Sequence, residues 1–192
     1  LIISCTSNPK TTLTGDLAVG IEKSGTLEQE NPVSYSITVD DNTYISGWVD
    51  QISVDVVVSL FNENDEEIDS FDNPAEGHEP FTFSIEKAGT YRLEVKPFED
   101  KSGEYTMMIS IVEPIATDRN GRADQLLSIY SKNVPGAVIG IIENGKMVYS
   151  KAYGKANLTH DLDFKLNTPT NIGSVSKQFT AYAIFVIIVN IK

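Results

Sequence analysis

The sequence predicts two unlike parts: an all-β portion over 15–113, a sandwich or barrel, and an α/β portion over 120–192. Three observations carry this. From Gly15 to Val112, short runs rich in Val, Ile, Tyr and Phe alternate with polar residues and are punctuated by Asn, Asp, Gly and Pro clusters. Charge then changes sign: residues 1–114 hold 6 basic and 22 acidic side chains, net −16, whereas 115–192 hold 9 and 5, net +4. Past that break, a hairpin pattern leads through a loop into one long apolar run, 179–189.

In chain order, 1–14 reads as the end of a signal and a tether. Leu1-Ile2-Ile3-Ser4-Cys5 looks like the close of a bacterial lipoprotein signal, in which the cysteine becomes lipidated. This predicts an extracytoplasmic protein, secreted or anchored to a membrane through Cys5, with the polar stretch from Thr6 to Thr14 as spacer. Cys5 is the single cysteine, which excludes an internal disulfide and a cysteine-based zinc cluster. The acidic first half argues against nucleic acid and anionic membrane surfaces as partners, since like charges repel.

Strands are expected at 33–39, 44–49, 53–61, 67–71, 81–85, 90–96 and 104–112. Tyr35, Ile37 and Val39 form one buried stripe and Val54, Val56, Val58 and Leu60 another. Trp48 reads as a core residue in preference to a sugar-stacking platform. Asn62 to Glu67 clusters oxygens but lacks the spacing and glycine of an EF-hand loop, so it reads as a solvated hairpin tip. His78 and His160 are isolated and read as surface loop residues, and no metal or cofactor is expected. Two stretches, Ile45-Ser-Gly-Trp-Val-Asp50 and Ala88-Gly-Thr-Tyr-Arg-Leu-Glu-Val95 with Ser102-Gly-Glu-Tyr-Thr-Met-Met-Ile109, resemble the bacterial pre-peptidase C-terminal domain. That resemblance implies a jelly-roll-like sandwich in an accessory role beside a secreted enzyme.

Pro114 ends the last strand and 114–119 reads as a linker. A helix is expected over 121–132, with Ala123, Leu126, Leu127 and Tyr130 on its apolar stripe. Then 137–143 and 146–152 pair across Asn144-Gly145, a dipeptide that favours a type I′ turn. A loop over 158–171 leads to Asn171-Ile-Gly-Ser-Val-Ser-Lys-Gln-Phe-Thr180.

Ser174 stands three residues before Lys177, so a helix opening here places hydroxyl and amine on one face. A serine is a poor nucleophile until a base takes its proton, and a helix N-terminus favours an oxyanion forming beside it. Ser7 with Lys10 and Ser84 with Lys87 share the spacing, but only Ser174 sits where a loop enters a long helix.

Together with Asn133-Val-Pro-Gly-Ala-Val-Ile-Gly-Ile-Ile-Glu-Asn-Gly-Lys-Met-Val-Tyr-Ser-Lys-Ala-Tyr-Gly-Lys-Ala-Asn157, this stretch resembles the start of the class C beta-lactamase-related serine hydrolases. The resemblance implies Ser174 as the acylated nucleophile, Lys177 as its proton acceptor, and beta-lactam, D-Ala-D-Ala peptide or ester substrates, peptidoglycan peptides among them. It also implies a Tyr-x-Asn and a Lys- or His-headed triplet with Gly, and neither follows Lys177. Lys23-Ser24-Gly25 and Lys101-Ser102-Gly103 match the triplet only by letters, ahead of the nucleophile. The expectation is therefore an incomplete, truncated hydrolase domain, inactive by itself. A second reading makes the sandwich the autonomous unit, a surface-anchored binding or secretion module. The run 181–192 is apolar on all sides, which calls for partners around it, and is too short to span a bilayer.

Overall fold

The computed structural model describes residues 13–29, 31–72, 77–131 and 133–190; Cys5 and the tether through residue 12 lie outside them. The chain forms two compact units that part between Ile129 and Tyr130.

The first unit is a two-sheet sandwich. Its strands are β1 (Leu13–Asp16), β2 (Glu22–Leu27), β3 (Val33–Val39), β4 (Thr43–Gln51), β5 (Val56–Phe61), β6 (Glu67–Phe71), β7 (Gly77–Ile85), β8 (Gly89–Pro97) and β9 (Gly103–Pro114). One sheet has the order β1-β3-β8-β5-β6 and the other β2-β9-β4-β7. All pairings are antiparallel except β1 with β3. Period-2 alternation sends Tyr35, Ile37, Val39, Val56, Val58, Leu60, Tyr91, Leu93 and Val95 inward from the first sheet. Leu27, Ile45, Val49, Phe81, Phe83, Ile85, Tyr105, Met107 and Ile109 meet them from the second. Each fully buried aliphatic or aromatic side chain contributes about 1.5–3 kcal/mol, so this interior holds the two sheets together.

Two glycines let large rings enter the core. Gly47 pairs with Phe81, and a Cβ there would lie 2.5 Å from the Phe81 ring and 2.6 Å from the Met108 carbonyl oxygen. Gly25 leaves room for Tyr105, whose hydroxyl meets that of Tyr35 at 2.7 Å inside the sandwich. Burial first, then the hydrogen bond with Tyr35, push the Tyr105 phenol pKa far up.

Trp48 departs from its expected core position. Ile45, Gly47 and Val49 face inward, so Tyr44, Ser46, Trp48 and Asp50 share the outer face of β4, and Trp48 is half-buried there. His78 lies within edge strand β7, not in a loop, and its exposed ring pairs with Asp50, Nδ1 to Oδ1 at 2.6 Å. The tip between β5 and β6 is a polar hairpin in which Asn62 Oδ1 accepts from the amides of Asn64 and Glu66.

Tyr44 and Ser46, also on the outer face, are covered by helix α1 (Arg119–Leu126) and the 3-10 turn Ser128–Tyr130. Asp118 caps α1, its Oδ1 accepting from the Asn120 and Gly121 amides at 3.0 Å. The expected stripe is met only in part: Ala123 is 5% exposed as expected, but Leu126 is 60% exposed and Gln125, which lies off the stripe, is 5%. The sheet surface presented to α1 is polar, so a hydrogen-bonding residue fits where leucine would not.

The second unit holds the hairpin β10 (Ala137–Glu143) and β11 (Lys146–Tyr153), the short pair β12 (Lys155–Asn157) and β13 (Leu162–Asp163), a 3-10 turn Gly173–Val175 and helix α2 (Ser176–Asn190). Asn144 and Gly145 have φ of 50° and 75°, as a type I′ turn requires.

Asp55, beside β5, yields a pH prediction. Burial first, then the Asp72 and Glu99 charges, raise its carboxyl pKa above 3.8, and Oδ1 is buried without a partner among the described residues. An acid whose folded pKa is raised binds more protons folded than unfolded, so stability falls as pH rises through that window. Asp55→Asn is expected to melt at a higher temperature than wild type at pH 7, with the gap closing as pH falls towards 4; calorimetry at the two pH values checks this.

Candidate functional site

Of the predicted site residues, Ser174 and Lys177 fall on one junction of the second unit, and Cys5 lies outside the described residues. Gly173 adopts φ +54, a left-handed conformation open to glycine at little cost, and turns the loop into the 3-10 turn that carries Ser174. Asn171 Oδ1 accepts the Gly173 amide at 2.7 Å, and the Val175 amide bonds the Ile172 carbonyl at 3.1 Å. Ser176 Oγ donates back to the Gly173 carbonyl at 2.7 Å, so the hydroxyl of the second serine of the motif is tied to the backbone of the turn. α2 follows without a break, and Lys177 is its second residue.

Ser174 and Lys177 thus sit three apart across a 3-10 to α junction, both exposed. Among the described residues neither side chain has a hydrogen-bond or ion-pair partner. The backbone amides at the start of the helix point toward its N-terminal end, the side on which an anion is stabilised. The arrangement sets a hydroxyl and an amine three residues apart at a positive helix end, with no hydrogen bond between the two side chains. Enclosure is not supplied by the described residues: every residue of α2 is exposed, including Phe179, Tyr182, Phe185 and Ile188.

Sequence reasoning found the Ser-x-x-Lys pair but passed over Gly173 and Asn171, which set the turn before it. A Gly one residue ahead of the serine, with Asn two further back, is the signal that was there to use.

Nearby, Lys155 ties β12 to its surroundings through Asp161 at 2.8 Å and Asp163 at 2.7 Å. Those two hydrogen bonds hold the lysine pKa up, and the lysine holds the Asp163 carboxyl below its ordinary range. Gly154, at φ +64, lets this segment pass the Val134 carbonyl and Gly136 at distances that leave no room for a Cβ.

Residues 112–191 match the family model described as Beta-lactamase. The C-terminal segment of this chain is beta-lactamase-related. Two curated relatives, both named D-aminopeptidase and from two strains of Cereibacter sphaeroides, are similar to part of this chain: one is 42% identical over 50 residues, the other 44% over 46. The alignments cover 26% and 24% of this chain but 10% and 9% of the relatives, so the chain spans about a tenth of their length. The beta-lactamase-related segment is therefore allied to a serine hydrolase family.

Solved structures similar to part of this chain include the pre-peptidase C-terminal domain of a Bacillus anthracis collagenase, at TM-score 0.42 and 15% identity over 52% of this chain and 97% of that one. Another is PliG of Aeromonas hydrophila, a periplasmic inhibitor of g-type lysozyme, at TM-score 0.41 and 9% identity over 53% and 97%. The sandwich itself rests on the strand pairing given above.

The left-handed Gly173 supplies a prediction. Gly173→Ala is expected to cost about 1 kcal/mol in the turn and to speed exchange of the Val175 amide roughly fivefold. Unchanged exchange, measured by NMR, would mean that the turn is not held by Gly173.

Proposed function

We propose that this chain carries the acylating end of an extracytoplasmic serine hydrolase, with Ser174 as nucleophile and Lys177 as proton acceptor. The observation that supports it is their placement at the start of α2, within the beta-lactamase-related stretch. In the proposed step, Ser174 Oγ bonds to the substrate carbonyl carbon as Lys177, in its neutral form, takes the hydroxyl proton. The carbonyl electrons move onto oxygen, and collapse expels the leaving amine or alkoxide, which receives the proton. Water then cleaves the acyl-serine ester by the reverse relay. Beta-lactams, D-Ala-D-Ala peptides and small esters are the substrates of this reading, and the name of the curated relatives adds peptides opening on a D-residue. Cys5, after Leu-Ile-Ile-Ser, would anchor the protein to the outer side of a membrane if lipidated.

Turnover by the 192-residue polypeptide is expected to lie near background. Loss of one proton-transfer or oxyanion group typically costs a hundredfold to ten-thousandfold, and the described residues give Ser174 neither an oxyanion wall nor a lid. Single acylation is the sharper test. Incubation with a fluorophosphonate or a beta-lactam probe, followed by peptide mass spectrometry, is expected to place the adduct on Ser174. Lys177→Ala should slow it about a hundredfold. No adduct, an adduct elsewhere, or an equal rate in Lys177→Ala contradicts the assignment.

A further inference from the structure

The outer face of the second sheet bears a feature that the hydrolase reading does not use. In one row across this face, Glu22, Met108, Trp48 and Pro80 lie on β2, β9, β4 and β7 in turn. In the next row lie Ser24, Thr106, Asp50 and His78. α1 covers Tyr44 and Ser46 further along β4, but these two rows stay open: the His78 and Asp50 side chains are 40% and 47% exposed. The imidazole lies 5.2 Å from the indole, tilted by 35°, and also meets the Asp50 carboxylate, so Trp48, His78 and Asp50 form one cluster.

The strand residues that project from this face carry formal charge of one sign; Arg119 and Arg122 belong to α1, over the Tyr44 end of β4. Glu22, Asp50 and Glu104 project from it, and Lys23, the single Lys or Arg among the residues of its four strands, alternates to the other side of β2. An indole face is electron-rich and attracts cations, more strongly when carboxylates stand beside it. Met108 and Pro80 flank the ring with apolar surface suited to the methylene stem of a long basic side chain. We propose that this face is a docking surface for a basic peptide segment, a Lys or Arg side chain lying over Trp48 with its charge towards Asp50 and Glu22. A neutral glycan would find the ring but leave the charge unanswered, so complementarity favours the cationic partner.

Trp48 is the single tryptophan of the chain, and its emission therefore reports on this face alone. The full chain is titrated with a dodecapeptide carrying six lysines and arginines, with its glutamate counterpart, and with chitohexaose. A saturable emission change with the basic peptide alone, weakening between 50 and 500 mM salt, is expected. Anisotropy of the labelled peptide should show about tenfold weaker binding to Trp48→Leu and to Asp50→Asn. Asp50→Asn is isosteric at a half-exposed position and carries the test if the tryptophan variant fails to fold. Saturation by chitohexaose alone, no response to the basic peptide, or undiminished peptide binding by Asp50→Asn would overturn the proposal.

Discussion

The exit of the chain from the sandwich depends on one buried phenol. Tyr44 is 1% exposed although it points out of its sheet, because α1 lies over it. Its hydroxyl donates to the Gln125 carbonyl and meets Ser128 Oγ at 2.9 Å; Ser128 in turn donates to Ser46 Oγ at 3.1 Å. The Gln125 side chain completes the joint, accepting the Ala116 amide at 3.0 Å and donating to Glu113 Oε1 at 3.0 Å and the Pro114 carbonyl at 2.8 Å. Burial raises the Tyr44 pKa, which keeps the phenol a donor. A segment that reads as a linker is thus stitched to the sheet at both ends, and the first compact unit reaches Ile129.

The two units answer the hydrophobic constraint differently. In the sandwich, both sheets turn one apolar face inward, and the interior closes around Phe81, Tyr105 and their neighbours. In the beta-lactamase-related unit, Val138, Ile142 and Met147 of the hairpin and nearly the whole of α2 remain exposed. The turn that carries Ser174 is nevertheless well defined locally, since Gly173, Asn171 and Ser176 fix it by backbone conformation and short-range hydrogen bonds. Local chemistry can set the geometry of Ser174 while leaving its walls to other residues.

Much of this was legible in the residues, for identifiable reasons. The stripes of β3 and β5 and the Asn144-Gly145 turn stand out because period-2 alternation and φ > 0 demands are local rules. β1 and β2 escaped notice because Leu-Thr-Gly-Asp and Glu-Lys-Ser-Gly-Thr-Leu are polar, glycine-bearing edge strands with no apolar stripe. Trp48 was misplaced by its residue type; its parity with Asp50, opposite to Ile45 and Val49, gives the correct face. The docking face of α1 was legible at Ala123 but not at Gln125, because the sheet surface beneath it is polar and pattern reading rewards Leu126 over Gln125. At the site, the Ser-x-x-Lys spacing was readable, whereas enclosure depends on contacts between distant residues, which no local pattern encodes.

Limited proteolysis with mass spectrometry tests the central claim, that the folded unit at the front of the chain continues through α1. Low protease concentrations should leave a resistant fragment ending at or beyond Ile129, with Arg119 and Arg122 uncut by trypsin. A resistant core ending near Pro114, with cleavage at those two arginines as fast as in an unfolded peptide, would contradict it.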